Sequence, residues 1–106
     1  MATKGKDQEA EKERLRRECG AWLQKQRETV GLSQAEFAKL VKFELKTFVS
    51  QVETGKRRIP QEHYHDWARA LRMDTREFVA TLLSYYEPIT YGIIFKDRRP
   101  HGIIGG

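Results

Sequence analysis

Leu32-Ser33-Gln34-Ala35-Glu36-Phe37-Ala38-Lys39-Leu40-Val41, followed after a connector by Phe48-Val49-Ser50-Gln51-Val52-Glu53-Thr54-Gly55-Lys56-Arg57-Arg58-Ile59-Pro60, decides how this chain reads. Ser33 stands before the first apolar run and Glu36 lies three residues later. The two can exchange hydrogen bonds with each other's backbone N–H groups, a capping box that starts a helix. Phe37, Ala38, Leu40 and Val41 supply its apolar face. Lys42 to Leu45 form the connector, with Phe43 and Leu45 expected to anchor it in the core and Glu44 to cap the helix that follows. That next helix is expected over about residues 46–54. Val49 and Val52 turn inward at a spacing of three, and Gly55 ends it.

Working outward, a helix is expected from about Asp7. Leu15, Cys19, Trp22, Leu23 and Gln26 recur at spacings of three and four, and the helix stops at Val30-Gly31-Leu32. Residues 1–6 are short, polar and terminal, and read as disordered. On the other side, Ile59-Pro60 opens a fourth helix whose Tyr64, Trp67, Ala68 and Leu71 follow the i, i+3, i+4, i+7 rule. Asp74 and Glu77 form a second capping-box pair before a fifth helix through Phe78, Val79, Leu82, Leu83 and Tyr86, which Pro88 ends. Beyond it Ile89, Tyr91, Ile93 and Phe95 alternate with Thr90, Gly92, Ile94 and Lys96, the period of a β-strand. The expectation is an all-α fold of five helices with a C-terminal β-strand and tail. Residues 7–73 form the main domain, and residues 74–106 a C-terminal helix, strand and tail.

Composition narrows the function. A chain of 106 residues can bury one modest core. Twenty lysines and arginines against fifteen acids give a net charge of +5, which favours a polyanionic partner. The excess is densest over residues 31–60, with its peak at Lys56, Arg57 and Arg58. Cys19 is the sole cysteine, which excludes an internal disulfide and a cysteine-based zinc site and suits a reducing cytoplasm. No apolar run is long enough for a membrane span or a signal peptide. His63 and His65 would project about 200° apart on a helix and cannot share a metal, and no glycine-rich phosphate loop is present. No metal, no cofactor and no catalytic residue are expected, and the chain is not read as an enzyme.

Two short helices on a tight connector describe a helix-turn-helix. Lys46, Thr47, Ser50 and Gln51 fall on one face of its second helix, opposite Val49 and Val52. They carry groups able to reach base edges when a helix lies in a major groove.

The quoted stretches, with the helices flanking them over roughly residues 20–73, resemble the Xre/Cro/C1 family of helix-turn-helix DNA-binding domains. The resemblance implies a lambda-repressor-like fold and a transcriptional regulator that contacts double-stranded DNA. By the same resemblance, Lys46, Thr47, Ser50 and Gln51 read bases, and Gln34, Thr54, Lys56, Arg57 and Arg58 hold phosphates. Arg27 and Glu53 would form a structural ion pair. The chain departs from the family at Lys42, where most members have glycine, and its connector is about one residue longer. The alternative to a capping role for Glu44 in that connector is to accept from a cytosine amino group.

A homodimer joined through residues 74–96 and binding an inverted repeat is expected, because one such domain reads only a few base pairs. Pairing of the Ile89 to Phe95 strand with its twofold copy would join the subunits. The competing reading is an antitoxin or adaptor whose C-terminal segment or tail grips a partner protein. Either suits a cytoplasmic, bacterial or phage-encoded protein associated with the nucleoid, away from membranes.

Overall fold

The computed structural model describes residues 3–42 and 46–96. In chain order its helices are α1 (Thr3–Thr29), α2 (Gln34–Leu40), α3 (Lys46–Glu53), α4 (Tyr64–Ala70), α5 (Thr75–Tyr86) and α6 (Pro88–Tyr91). A 3₁₀ turn over Gln61–His63 leads into α4, and a wide π turn over Gly92–Lys96 continues α6. The expected capping box forms: Glu36 N–H donates to Ser33 Oγ (3.0 Å) and Ser33 N–H to Glu36 Oε1 (2.8 Å). At α5 the Asp74 carboxylate accepts from Glu77 N–H at 3.0 Å. Residues 43–45, with the anchoring expected of Phe43 and Leu45 and the cap expected of Glu44, lie outside the described residues.

The core gathers one stripe from each of the first five helices. Cys19 and Leu23 of α1, Phe37 and Ala38 of α2, Val49 and Val52 of α3, Trp67 and Ala68 of α4, and Phe78 and Leu82 of α5 are all buried. Phe37 meets Trp67 edge to face at 4.9 Å between ring centroids, an arrangement that adds about 1 kcal/mol to the burial itself. Cys19 is a core residue, its thiol pushed up to about 12 by burial. The α1–α3 crossing is close because residue 20 is glycine. A Cβ there would stand 2.2 Å from the Glu53 carbonyl oxygen.

Four helices stop through a residue in the left-handed region: Gly31, Lys42, Gly55 and Arg72, at φ of 81°, 63°, 83° and 61°. Lysine therefore does take the turn where glycine is usual, at a cost of about 1–2 kcal/mol from its Cβ. At Gly55 glycine is required twice over, since an added Cβ would also lie 2.8 Å from the Arg17 backbone.

Two expectations are corrected. The helix reaches back to Thr3, taking in most of the segment read as a disordered arm. Extending a helix already nucleated fixes one residue per added hydrogen bond, so polar residues suffice. Residues 1 and 2 lie outside the description.

The second correction is larger: no strand exists among the described residues, and Ile89 to Phe95 is helical. Pro88 occupies the first helical position, where its missing N–H costs nothing, and Tyr91 N–H closes the first turn onto the Glu87 carbonyl at 2.9 Å. The alternation that reads as period two also contains i, i+4 pairs. Tyr91 and Phe95 are one, and their ring centroids are 4.9 Å apart. A strand here would need a ladder partner, which no described segment supplies. The pairing of two such strands between subunits falls with it.

Candidate nucleic-acid interface

The helix-turn-helix is locked from behind by one carboxylate. Glu53, at the end of α3, is buried and accepts from Arg27 Nε at 2.7 Å and Arg27 Nη2 at 3.1 Å. It also accepts from Gln34 Nε2 at 2.9 Å. Arg27 spends Nη1 on the Leu32 carbonyl at 2.8 Å. The late part of α1, the α1–α2 loop, the first residue of α2 and the last of α3 thus meet on two side chains. A buried guanidinium facing a carboxylate through two parallel bonds fixes angles as well as distance. The helix that presents the polar face is held rigidly to the one that precedes it.

On the outer side of α3, Lys46 and Thr47 are exposed and Ser50 and Gln51 are half-buried, while Val49 and Val52 are buried on the opposite side. The four polar residues sit on one helical face, as their spacing requires. Gln34 lies at the start of α2, one of its two amide hydrogens given to Glu53. Thr54 directs its hydroxyl to the Ser50 carbonyl at 2.9 Å.

The loop after α3 returns onto that helix. Lys56 and Arg57 donate their backbone N–H groups to the Gln51 carbonyl at 2.8 and 3.2 Å, and Arg57 Nε donates to Gln51 Oε1 at 2.7 Å. The Lys56 side chain stays exposed.

Arg58 is engaged differently. Its Nη1 lies 2.9 Å from Glu87 Oε2 and its guanidinium 4.6 Å from the centre of the Tyr86 ring, beside the end of α5. The Tyr86 hydroxyl in turn accepts the Ile59 N–H at 3.3 Å. Arg58 is thus shared between the basic loop and the C-terminal helix. A shallow cleft of about 240 Å³ between α3 and the loop is lined by Lys42, Phe48, Arg57 and Arg58 among others.

Sequence reasoning passed over Lys42 and Phe48. Lys42 departs from the family's glycine, and its charge was the signal available for a residue that lines this cleft. Phe48 has no such signal in the sequence. Its ring lies under the Arg57 guanidinium at 4.6 Å. Among the described residues no group of three or more histidines, cysteines or acids gathers as a metal site would require. Nor is any described helix long and apolar enough to cross a membrane.

Residues 23–78 match the model of the helix-turn-helix family, covering α2 to α4 with parts of α1 and α5. No curated protein and no solved structure gives a significant match to the chain.

Proposed function

The chain belongs to the Xre/Cro/C1-type helix-turn-helix family of DNA-binding regulators, and we propose that it is a sequence-specific double-stranded DNA binder that regulates transcription, with α3 in the major groove. The observation that carries this reading is the exposed polar face of α3 held in place by the buried Arg27–Glu53–Gln34 cluster. A face that must find base edges within fractions of an ångström needs such support. Lys46, Thr47, Ser50 and Gln51 read bases. Gln34 with its second amide hydrogen, Thr54, Lys56 and Arg57 hold phosphates, and Arg58 joins them in competition with Glu87. No chemistry is asked of the protein beyond binding.

The protein acts as a homodimer through residues 74–96 on an inverted repeat. What supports this is the surface beyond α5: Ile89 is 80% exposed, Ile93 57%, Ile94 58% and Phe95 39%. That is more clustered apolar surface than a short helical segment normally leaves in water. The same surface favours a second reading, in which it grips a different protein as an antitoxin or adaptor would. The tail from residue 97 lies outside the described residues.

Duplexes enriched from a randomised pool, followed by salt titrations, test the proposal. Lys56→Ala should weaken binding about equally on cognate and scrambled duplexes and lower the salt slope by about one. Thr47→Ala should cost roughly 1–3 kcal/mol on the cognate duplex alone. Equal losses on both duplexes for both variants would contradict the division of roles, and the absence of any enriched sequence would contradict the function.

A further inference from the structure

Gln51 is the residue around which the basic loop closes. Its backbone carbonyl accepts the Lys56 and Arg57 N–H groups, and the Thr54 hydroxyl lies 3.3 Å from it. Its side-chain oxygen accepts Arg57 Nε–H at 2.7 Å. The Arg57 guanidinium is itself held over the Phe48 ring, 4.6 Å from its centre, so the donor has a fixed platform on the same helix.

A carboxamide can usually be turned end for end, because its oxygen and nitrogen have the same shape. Here it cannot, since a guanidinium only donates and the end facing it must be the oxygen. The amide nitrogen, with two N–H bonds, becomes the other arm of the side chain.

We propose that Arg57 is a positioning residue for base recognition: it fixes the Gln51 carboxamide so that α3 offers a donor at that position and selects a base carrying a major-groove carbonyl. Guanine, with acceptors at N7 and O6, and thymine, with O4, fit a donor. Adenine keeps an acceptor at N7, but adenine and cytosine carry an amino group where guanine and thymine carry the carbonyl, and that group must compete with Arg57 for the amide oxygen. A free glutamine would instead pair with adenine through both ends of its amide. One arginine then does two things, attracting phosphate by its charge and choosing the polarity of its neighbour by its Nε–H. This rests on the DNA-binding reading and extends it to the chemistry of one base.

Selection from randomised duplexes with the full chain tests it, using wild type, Gln51→Glu, Arg57→Leu and Arg57→Lys. Gln51→Glu locates the base pair, because a side chain that only accepts should turn the preference there toward cytosine or adenine. Read on the strand where that variant selects cytosine or adenine, wild type should favour guanine or thymine at the pair by roughly tenfold or more. Arg57→Leu should lower affinity on every duplex and reduce that preference to less than about threefold, leaving other positions of the motif unchanged. Arg57→Lys, which keeps the charge but not the planar fork, should restore affinity for scrambled duplexes to within about twofold while the preference stays reduced. A preference undiminished in Arg57→Leu, or a wild-type choice of adenine or cytosine on that same strand, overturns the positioning role while DNA binding stands. A wild-type selection that enriches nothing removes both.

Discussion

Glu53 shows how much one residue can fix in a small domain. Its carboxylate takes two donors from Arg27 and one from Gln34, and at 6% exposure it meets little solvent that could replace them. Removing one partner of a buried pair costs more than the pair itself contributes, because the other charge stays buried without compensation. Glu53→Gln should therefore lower unfolding stability by about 3–5 kcal/mol in urea titrations. Arg27 and Glu53 are 26 positions apart, and only the resemblance paired them in the sequence. The contacts of Gln34 with Glu53, Arg57 with Gln51 and Arg58 with Glu87 were not legible. Each depends on how a long side chain turns once the backbone is set, and local spacing carries no trace of that.

Elements were legible where the local chemistry names its own partner. Ser33 and Glu36 are both ends of one capping box, and the glutamate carboxyl is held below its usual range by the Ser33 N–H and hydroxyl. Ser33→Ala should cost about 1 kcal/mol of stability at neutral pH. The depressed folded-state pKa gives this contribution a pH dependence of known sign. The stabilisation from the Glu36 charge is complete above the ordinary carboxylate pKa and is lost as pH falls through the lower folded value. The stability difference between wild type and Glu36→Gln should accordingly narrow between pH 7 and pH 3, as unfolding midpoints at the two pH values would show. A difference that grows on acidification would contradict the cap. The last element reads two ways because the apolar positions of Ile89 to Phe95 fit periods of two and of four alike, and only the absence of a ladder partner among the described residues decides between them.

At the scale of the molecule, the basic loop after α3 and the apolar segment after α5 are joined through Arg58, Glu87 and Tyr86. Charge and hydropathy patterns gave both surfaces without showing this link. If α6 and the turn after it join two copies, Ile93→Asp combined with Ile94→Asp should shift sedimentation from dimer to monomer and reduce affinity for an inverted repeat much more than for a single half-site. A dimer that survives both changes would move the contact elsewhere. The central claim, that the face of α3 and the loop behind it hold DNA, is tested most directly by mapping backbone amide shifts of the labelled protein against its enriched duplex. The account predicts that the largest shifts fall at residues 33–36, 46–51 and 54–58. Shifts confined to residues 85–96, or none at all, would contradict it.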